Sequence, residues 1–387
     1  MPEHPDNKFF EDRNSEPSSN APSGESAAET NEKKIDPRTT VVLAPDEEID
    51  GIGQVVKKKS KAGPLIVVTV IIAFFGVIAI WATWPKTREA SEPLTPYLKS
   101  KLARFPKGTN VLLYLGMKDI RTTGFWRDII PDSTKQTPLF ASDTSALGRF
   151  TRETGFNFLT DSDTLIYSAV SGGMKDEFFS SITGKWDTAQ VSLFLKRRSD
   201  NARDLGGKTI YRTDPQLWLC LVSPAELIIA SRADLIENYV QPTSDFFAAD
   251  SVMLPLIEKA RYKSHLWLAL GSPQWAIGAL QGLTSSNTEL RTAGNVNRIK
   301  RLALSVKIAE GLDGQTEWIY DTSSSAFFAG GIVWATTAIS ENFSARLSPA
   351  RKKLAGAVRI VQNQNALILN ASLPKELIKE LQEQKGN

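Results

Sequence analysis

Between Pro64 and Trp84 the chain runs Pro-Leu-Ile-Val-Val-Thr-Val-Ile-Ile-Ala-Phe-Phe-Gly-Val-Ile-Ala-Ile-Trp-Ala-Thr-Trp, without a single charged residue. About 20 apolar residues suffice to cross the hydrocarbon core of a bilayer. A helix can do so because it satisfies its own backbone hydrogen bonds. Trp81 and Trp84 stand at the C-terminal end, where indole rings favour the headgroup zone. The stretch predicts one transmembrane helix, 64–84. A core helix of a water-soluble protein would carry polar residues along one edge. The 63 residues ahead of it are too many for a cleaved secretory signal, and Ala79-Ile-Trp-Ala-Thr-Trp84 has no small-x-small cleavage site. An uncleaved signal-anchor is the expectation.

The flanks set its orientation. Lys57, Lys58, Lys59 and Lys61 precede it with no acid among them, whereas Lys86 and Arg88 are offset by Glu89 and Glu92. The positive-inside bias predicts a cytoplasmic N-terminus and a C-terminal domain that is periplasmic or extracellular, with the protein in the cell (inner) membrane. The four lysines would also attract anionic lipid of the inner leaflet. Residues 1–63 are rich in Pro, Ser, Glu, Asn and Lys and cannot bury enough apolar surface to offset the entropy of ordering. They read as a disordered cytoplasmic tail. Its one apolar island follows Thr39 and Thr40, hydroxyls suited to a docking or phosphorylation motif. The tail holds 9 basic and 13 acidic residues and the rest of the chain 37 and 30, so the C-terminal region is mildly basic.

Residues 85–103, with Pro85, Pro93 and Pro96, read as a juxtamembrane spacer. Beyond it, four landmarks recur in one order. Val111-Leu-Leu-Tyr-Leu-Gly116 resembles Leu266-Trp-Leu-Ala-Leu-Gly271, and Leu165-Ile-Tyr-Ser-Ala169 resembles Leu302-Ala-Leu-Ser-Val306. Trp186-Asp-Thr188 resembles Tyr320-Asp-Thr322, and Glu226-Leu-Ile-Ile-Ala-Ser231 resembles Ala366-Leu-Ile-Leu-Asn-Ala371. Short apolar strands look alike singly, but four collinear matches predict a tandem duplication, 104–255 and 256–387. Each copy reads as a strand ending at Gly, a helical stretch, a strand pair, a helix begun at the shared Asp-Thr, then two strands and a last helix. In the second copy Asp313-Gly314 predicts the hairpin between Arg301–Ile308 and Thr316–Asp321. Asp187 is the expected N-cap of a helix whose Val191, Phe194 and Leu195 share a face, although alternation at 191, 193 and 195 would also suit a strand. Strands segregated from helices point to α+β with largely antiparallel sheets.

Residue types limit the chemistry. Cys220 is the single cysteine and lies in the apolar run Leu217–Val222; the histidines are His4 and His265. No disulfide, Cys/His zinc site or Ser-His-Asp triad is expected from that inventory. Gly206-Gly-Lys-Thr209 lacks the glycine a phosphate loop needs at 202, which is Ala, and reads as a turn. Ser171-Gly-Gly173 reads as a loop and Gly330-Gly331 as a point of close helix contact. Asp161 and Asp163 are the best pair of carboxylates for hydrolysis, and the simpler reading makes them loop caps before a strand. Arg346, Arg351, Lys352 and Lys353 form the densest basic cluster and read as a solvated face. Trp218, Trp267, Trp275, Trp318 and Trp334 read as core. Catalytic, cofactor-binding and metal-ligating residues are therefore none, and nucleic acid is not an expected partner.

Phe105-Pro-Lys-Gly-Thr-Asn-Val-Leu-Leu-Tyr-Leu115, leading into Asp119-Ile-Arg121, resembles a stretch of uncharacterised bacterial single-pass envelope proteins with a duplicated exported α+β domain. The resemblance implies a charged tail, one signal-anchor and no particular reaction. The expected function is a membrane-anchored, non-catalytic binding or scaffolding module with a protein partner in the cell envelope. The alternatives are an anchored hydrolase using Asp161 and Asp163, or a sensor signalling through the tail. A ligand would be sought in a cleft between the two halves.

Overall fold

The structure is a computed structural model that describes residues 89–137, 146–170, 177–215, 217–243, 245–246, 250–283, 298–342 and 348–386, all within one compact unit. The first element is a short helix, α1 (Pro96–Leu102). Thr95 caps it by accepting from the Leu98 amide at 3.2 Å, and Pro96 occupies the first turn, where the missing N–H costs nothing. Its Leu98 and Leu102 are buried in the core. Then come β1 (Thr109–Leu115), the one-turn helices α2 (Met117–Arg121), α3 (Gly124–Asp128) and α4 (Asp132–Gln136), α5 (Ala146–Thr154) and α6 (Phe158–Asp161). They lead into the hairpin β2 (Ser162–Val170) and β3 (Glu177–Gly184), and then α7 (Thr188–Arg198). Next are β4 (Asn201–Leu205), β5 (Lys208–Asp214), β6 (Leu217–Ser223), β7 (Glu226–Ala230) and α8 (Ala233–Val240).

The second half opens with α9 (Met253–Lys259) and continues β8 (Leu266–Leu270), α10 (Pro273–Leu283), β9 (Arg301–Ile308) and β10 (Leu312–Ile319). It closes with α11 (Ser323–Asn342), α12 (Pro349–Gly356), β11 (Val358–Asn363), β12 (Ala366–Leu373) and α13 (Lys375–Gly386).

All twelve strands among the described residues belong to one antiparallel sheet, ordered β11-β12-β10-β9-β8-β1-β2-β3-β7-β6-β5-β4. Its centre is the pairing of β1 with β8, Val111 opposite Leu270 through Leu115 opposite Leu266. Going outward from that seam, β1-β2-β3-β7-β6 has its counterpart in β8-β9-β10-β12-β11, and the first half adds the hairpin β4–β5 at its edge. The charge-free runs at 111–115 and 266–270 form the two central strands because both of their faces are covered. Side chains alternate between faces. On one face Leu112 and Tyr114 of β1 meet Trp267 of β8, the Tyr114 and Trp267 rings stacked 5.7 Å apart, under α1, α8 and α9. On the opposite face, α5, α6 and α7 cover the first half and α10 and α11 the second.

This architecture corrects the expected fold. The two halves do not hold separate sheets: strands 109–115 and 266–270 hydrogen-bond, so one sheet runs through both. The expectation of a membrane-spanning, single-pass protein is corrected as well, since among the described residues no helix is long and apolar enough to cross a membrane. The longest helix among the described residues, α11, carries a Ser/Thr-rich sequence and packs on β11 and β12. The stretch Pro64–Trp84, on which the signal-anchor rested, lies outside the described residues.

Local signals fared unevenly. Asp187 caps α7, its Oδ1 accepting from Ala189 at 2.9 Å and Gln190 at 3.0 Å, and Val191, Phe194 and Leu195 form the buried face of a helix. Its counterpart Asp321 does not cap α11; Thr322 Oγ1 accepts from the Ser325 amide at 3.1 Å, and Asp321 pairs with Lys300. Gly206 and Gly207 have φ of 57° and 80°, the left-handed pair that a two-residue hairpin between β4 and β5 requires. Asp313-Gly314 is no turn. It lies inside β10, and the chain reverses at Gly311, where a Cβ would run into the Leu373 carbonyl oxygen.

Candidate apolar binding site

An apolar cavity lies on the α5–α7 face of the first half. Its floor comes from five adjacent strands. Leu115 of β1 pairs with Leu165 of β2, and Leu165 with Ile182 of β3. Tyr167 of β2 pairs with Ser180 of β3, and Ser180 with Ile229 of β7. With side chains alternating, these residues and Leu217 of β6 share one face. Helical residues form the walls: Met117 of α2, Ala146 and Leu147 of α5, Phe158 and Leu159 of α6. Its volume is about 510 Å³, within the range of about 300–1,000 Å³ typical of small-molecule sites, and it opens to solvent.

Polar groups are few and placed at the margins. The Ser162 hydroxyl is used up, donating to the Phe158 carbonyl. Ser180 lies in the floor, and Asp214, at the end of β5 opposite Leu217, marks one end. There Arg149 of α5 approaches Asp214 at 3.4 Å. The wall is anchored by Arg121, whose guanidinium donates to the Leu159 carbonyl at 3.1 Å, the Ser162 carbonyl at 2.5 Å and Asp163 at 3.0 Å. One side chain thus ties α2, α6 and β2 together. The backbone amides of the floor are spent on the sheet, so apart from the Ser180 and Tyr167 hydroxyls the interior offers apolar contact. Such a lining suits apolar matter.

The candidate carboxylates have other duties. Asp163 is the partner of Arg121. Asp161 ends α6 and is not on a strand; its oxygens accept from the Asn157 amide at 2.8 Å and the Thr160 hydroxyl at 2.9 Å. They do not converge on a substrate position. His265 is a strut, its Nδ1 accepting from the Ile308 amide at 2.8 Å, with burial holding it below the ordinary imidazole range. Cys220 is fully buried, and burial pushes its thiol up to about 11, far from reactive. No cluster of potential metal ligands occurs among the described residues. Of the expected basic cluster, Arg351, Lys352 and Lys353 lie on α12, and Lys353 pairs with Glu380 at 2.9 Å. Thr39, Thr40, Lys57, Lys58, Lys59, Lys61, Ser171–Gly173 and Arg346 lie outside the described residues.

Two features escaped the sequence. The expected cleft between the halves is not where the cavity falls; all of its lining lies between 115 and 229, in the first half. Each half also holds a buried lysine–glutamate pair, the two glutamates standing on strands that do not correspond, β7 and β10. Lys101, in the last turn of α1, meets Glu226 at 2.5 Å, and Lys259, in the last turn of α9, meets Glu317 at 2.8 Å. Glu226 also accepts from Tyr239 at 2.6 Å and Ser181 at 2.9 Å. Burial pushes its carboxyl up, but the hydrogen bonds from Lys101, Tyr239 and Ser181 outweigh it and hold Glu226 below the ordinary glutamate range. A lysine in a helix ahead of each half's first strand is the only local trace of these pairs.

The chain is thus an α+β protein built on one antiparallel sheet with an apolar cavity under short helices. No family model matches it, and no curated protein does. Three solved structures are similar in outline, crystal forms I, III and IV of TP0453. The TM-scores are 0.39, 0.39 and 0.37, at 10%, 11% and 11% identity. Each covers 73% of this chain, and 96%, 97% and 96% of the other. That is a loose likeness of shape.

Proposed function

We propose that the folded part is a non-catalytic binding module and that the cavity beneath α5 and α6 is its binding site. What supports the reading is the cavity itself: about 510 Å³, walled by aliphatic and aromatic side chains, with Asp161 and Asp163 both committed to structural bonds. A lining of that kind gains by removing apolar surface from water, about 25 cal/mol per Å². The module's setting, in this reading, is the cell envelope.

The test is binding of an environment-sensitive apolar dye, anilinonaphthalene sulfonate, to the full-length chain. Leu165→Trp fills the floor and is expected to weaken binding tenfold or more while leaving the circular dichroism spectrum unchanged. Undiminished binding by that variant removes the cavity from the proposal. Turnover of cell-wall or lipid substrates that disappears in Asp161→Asn/Asp163→Asn would replace the module with a hydrolase. Recovery of the protein solely with cytoplasmic proteins on fractionation would remove the envelope setting and leave cavity binding untouched.

A further inference from the structure

Resting on the binding-module reading, we propose that the ligand is a single long acyl chain, lying across the strands with its polar head at the Arg149–Asp214 end. The shape of the cavity carries the argument. Its floor residues come from β1, β2, β3, β7 and β6, five consecutive strands of the sheet. Four inter-strand steps of about 4.8 Å make a trough about 19 Å long. That volume, about 510 Å³ and open to solvent along the trough, takes an extended hydrocarbon chain along its length. A fully extended carbon chain advances about 1.2 Å per bond, so the trough matches about 16 carbons.

The two ends differ. Leu115 and the buried Met117 close the β1 end with apolar surface. At the β6 end Asp214 lines the cavity, and its partner Arg149 is, like it, more than one-third exposed. A chain can therefore enter tail first and leave its head in water beside a guanidinium. Between the ends polar groups are few: the Ser180 hydroxyl at the third of the five strands, and on β2 the Tyr167 phenol and the Ser162 hydroxyl that donates to Phe158. The amphiphile's polarity is matched end to end.

Two sources supply such a chain, a free fatty acid or a phospholipid, and the experiment separates them. Cells expressing the full-length chain are fed either a 16-carbon fatty acid or a phosphatidylcholine bearing the same chain, each with a diazirine at the methyl end, and irradiated. The labelled peptides are then mapped by mass spectrometry. Label at Leu115–Met117 or Leu159 is expected from at least one probe, and which probe labels identifies the source. Moving the diazirine next to the carboxyl should shift the label to the Arg149 and Asp214–Leu217 peptides. Ser180→Leu, which places an isobutyl group mid-trough, should cut labelling at the β1 end tenfold or more, and Ser180→Ala should leave it unchanged. Should Ser180→Leu fail to fold, competition against the wild-type protein by saturated acids of increasing length decides. Affinity should climb about fourfold per methylene and level off near 16 carbons. No labelling of the trough by either probe, or no length dependence, overturns the acyl assignment. If the anilinonaphthalene dye still binds and Leu165→Trp still abolishes it, the binding-module reading survives that result; if it does not, both fall.

Discussion

The two halves of the sheet share a strand order, and they are filled differently. In the second half α11 lies flush on β11 and β12, because the residues it turns inward are Ala326, Ala329 and Val333. Gly330 lets the helix come closer still, since a Cβ there would stand 3.1 Å from Leu367. In the first half the same face is covered by α5, α6 and α7, four to eleven residues long. Their bulky Phe150, Phe158 and Phe194 hold them off the strands, and the cavity opens in the space left over. The larger residues of α11 face the other way. Phe328, Trp334 and Ile339 are each more than half exposed, which corrects the expectation that Trp334 belongs to the core. One scaffold therefore accommodates a helix packed flush on β11 and β12 and short helices held off β1-β2-β3-β7-β6, and the size of the inward residues of the covering helices decides which.

The comparison can be broken most forcefully at the two lysine–glutamate pairs. Glu226→Ala and Glu317→Ala each strand a lysine in a largely buried site, a loss of about 3–5 kcal/mol. Urea titrations should give similar losses for both; a large loss in one and none in the other would show that the two pairs are not alike in what they hold together. A pH dependence follows for Glu226. Its folded value lies below its ordinary 4.5, so its contribution is fully present above that pH and is lost as pH falls through the depressed folded value. The stability gap between wild type and Glu226→Gln, measured by urea midpoints, should accordingly shrink below pH 4.5 and stay level above it.

Packing comes next in size. Ala329→Leu under α11 has no room and should cost about 1–3 kcal/mol. Ser180→Leu in the cavity should be neutral or stabilise by up to about 1 kcal/mol, as cavity-filling changes do. Equal penalties in thermal melts would mean that the halves are filled alike. Smallest of all, Phe328→Ser with Trp334→Ser should change stability by no more than about 0.5 kcal/mol per site, since neither ring is buried. A drop of several degrees in Tm would show that the outward face of α11 is covered in solution.

Much of the strand pattern was legible. The run at 111–115 has no charge and the run at 266–270 none either, and both became central strands. The landmarks at 165–169 and 302–306 became β2 and β9, and those at 226–231 and 366–371 became β7 and β12 apart from Ser231 just beyond β7. Asp187 and Gly206-Gly207 were readable because a cap and a two-residue turn are decided within a few residues. Asp313-Gly314 misled because the local turn preference was overridden when Gly311, three residues earlier, had to admit the Leu373 carbonyl. The site was not legible. Leu115, Leu165, Ile182 and Ile229 each look like any other strand residue, and nothing in their spacing says that the helices above them stop short.

By itself the sequence determined where apolar strands, turns and caps fall, since period, charge and capping are properties of a few neighbouring residues. Only the tertiary structure decided that β1 would pair with β8 to merge two halves into one sheet, and that Lys101 would find Glu226. It alone decided that a trough would remain over β1-β2-β3-β7-β6. Those outcomes depend on residues far apart in the chain meeting at distances set by the sizes of the side chains between them, and a one-dimensional pattern does not carry such sums.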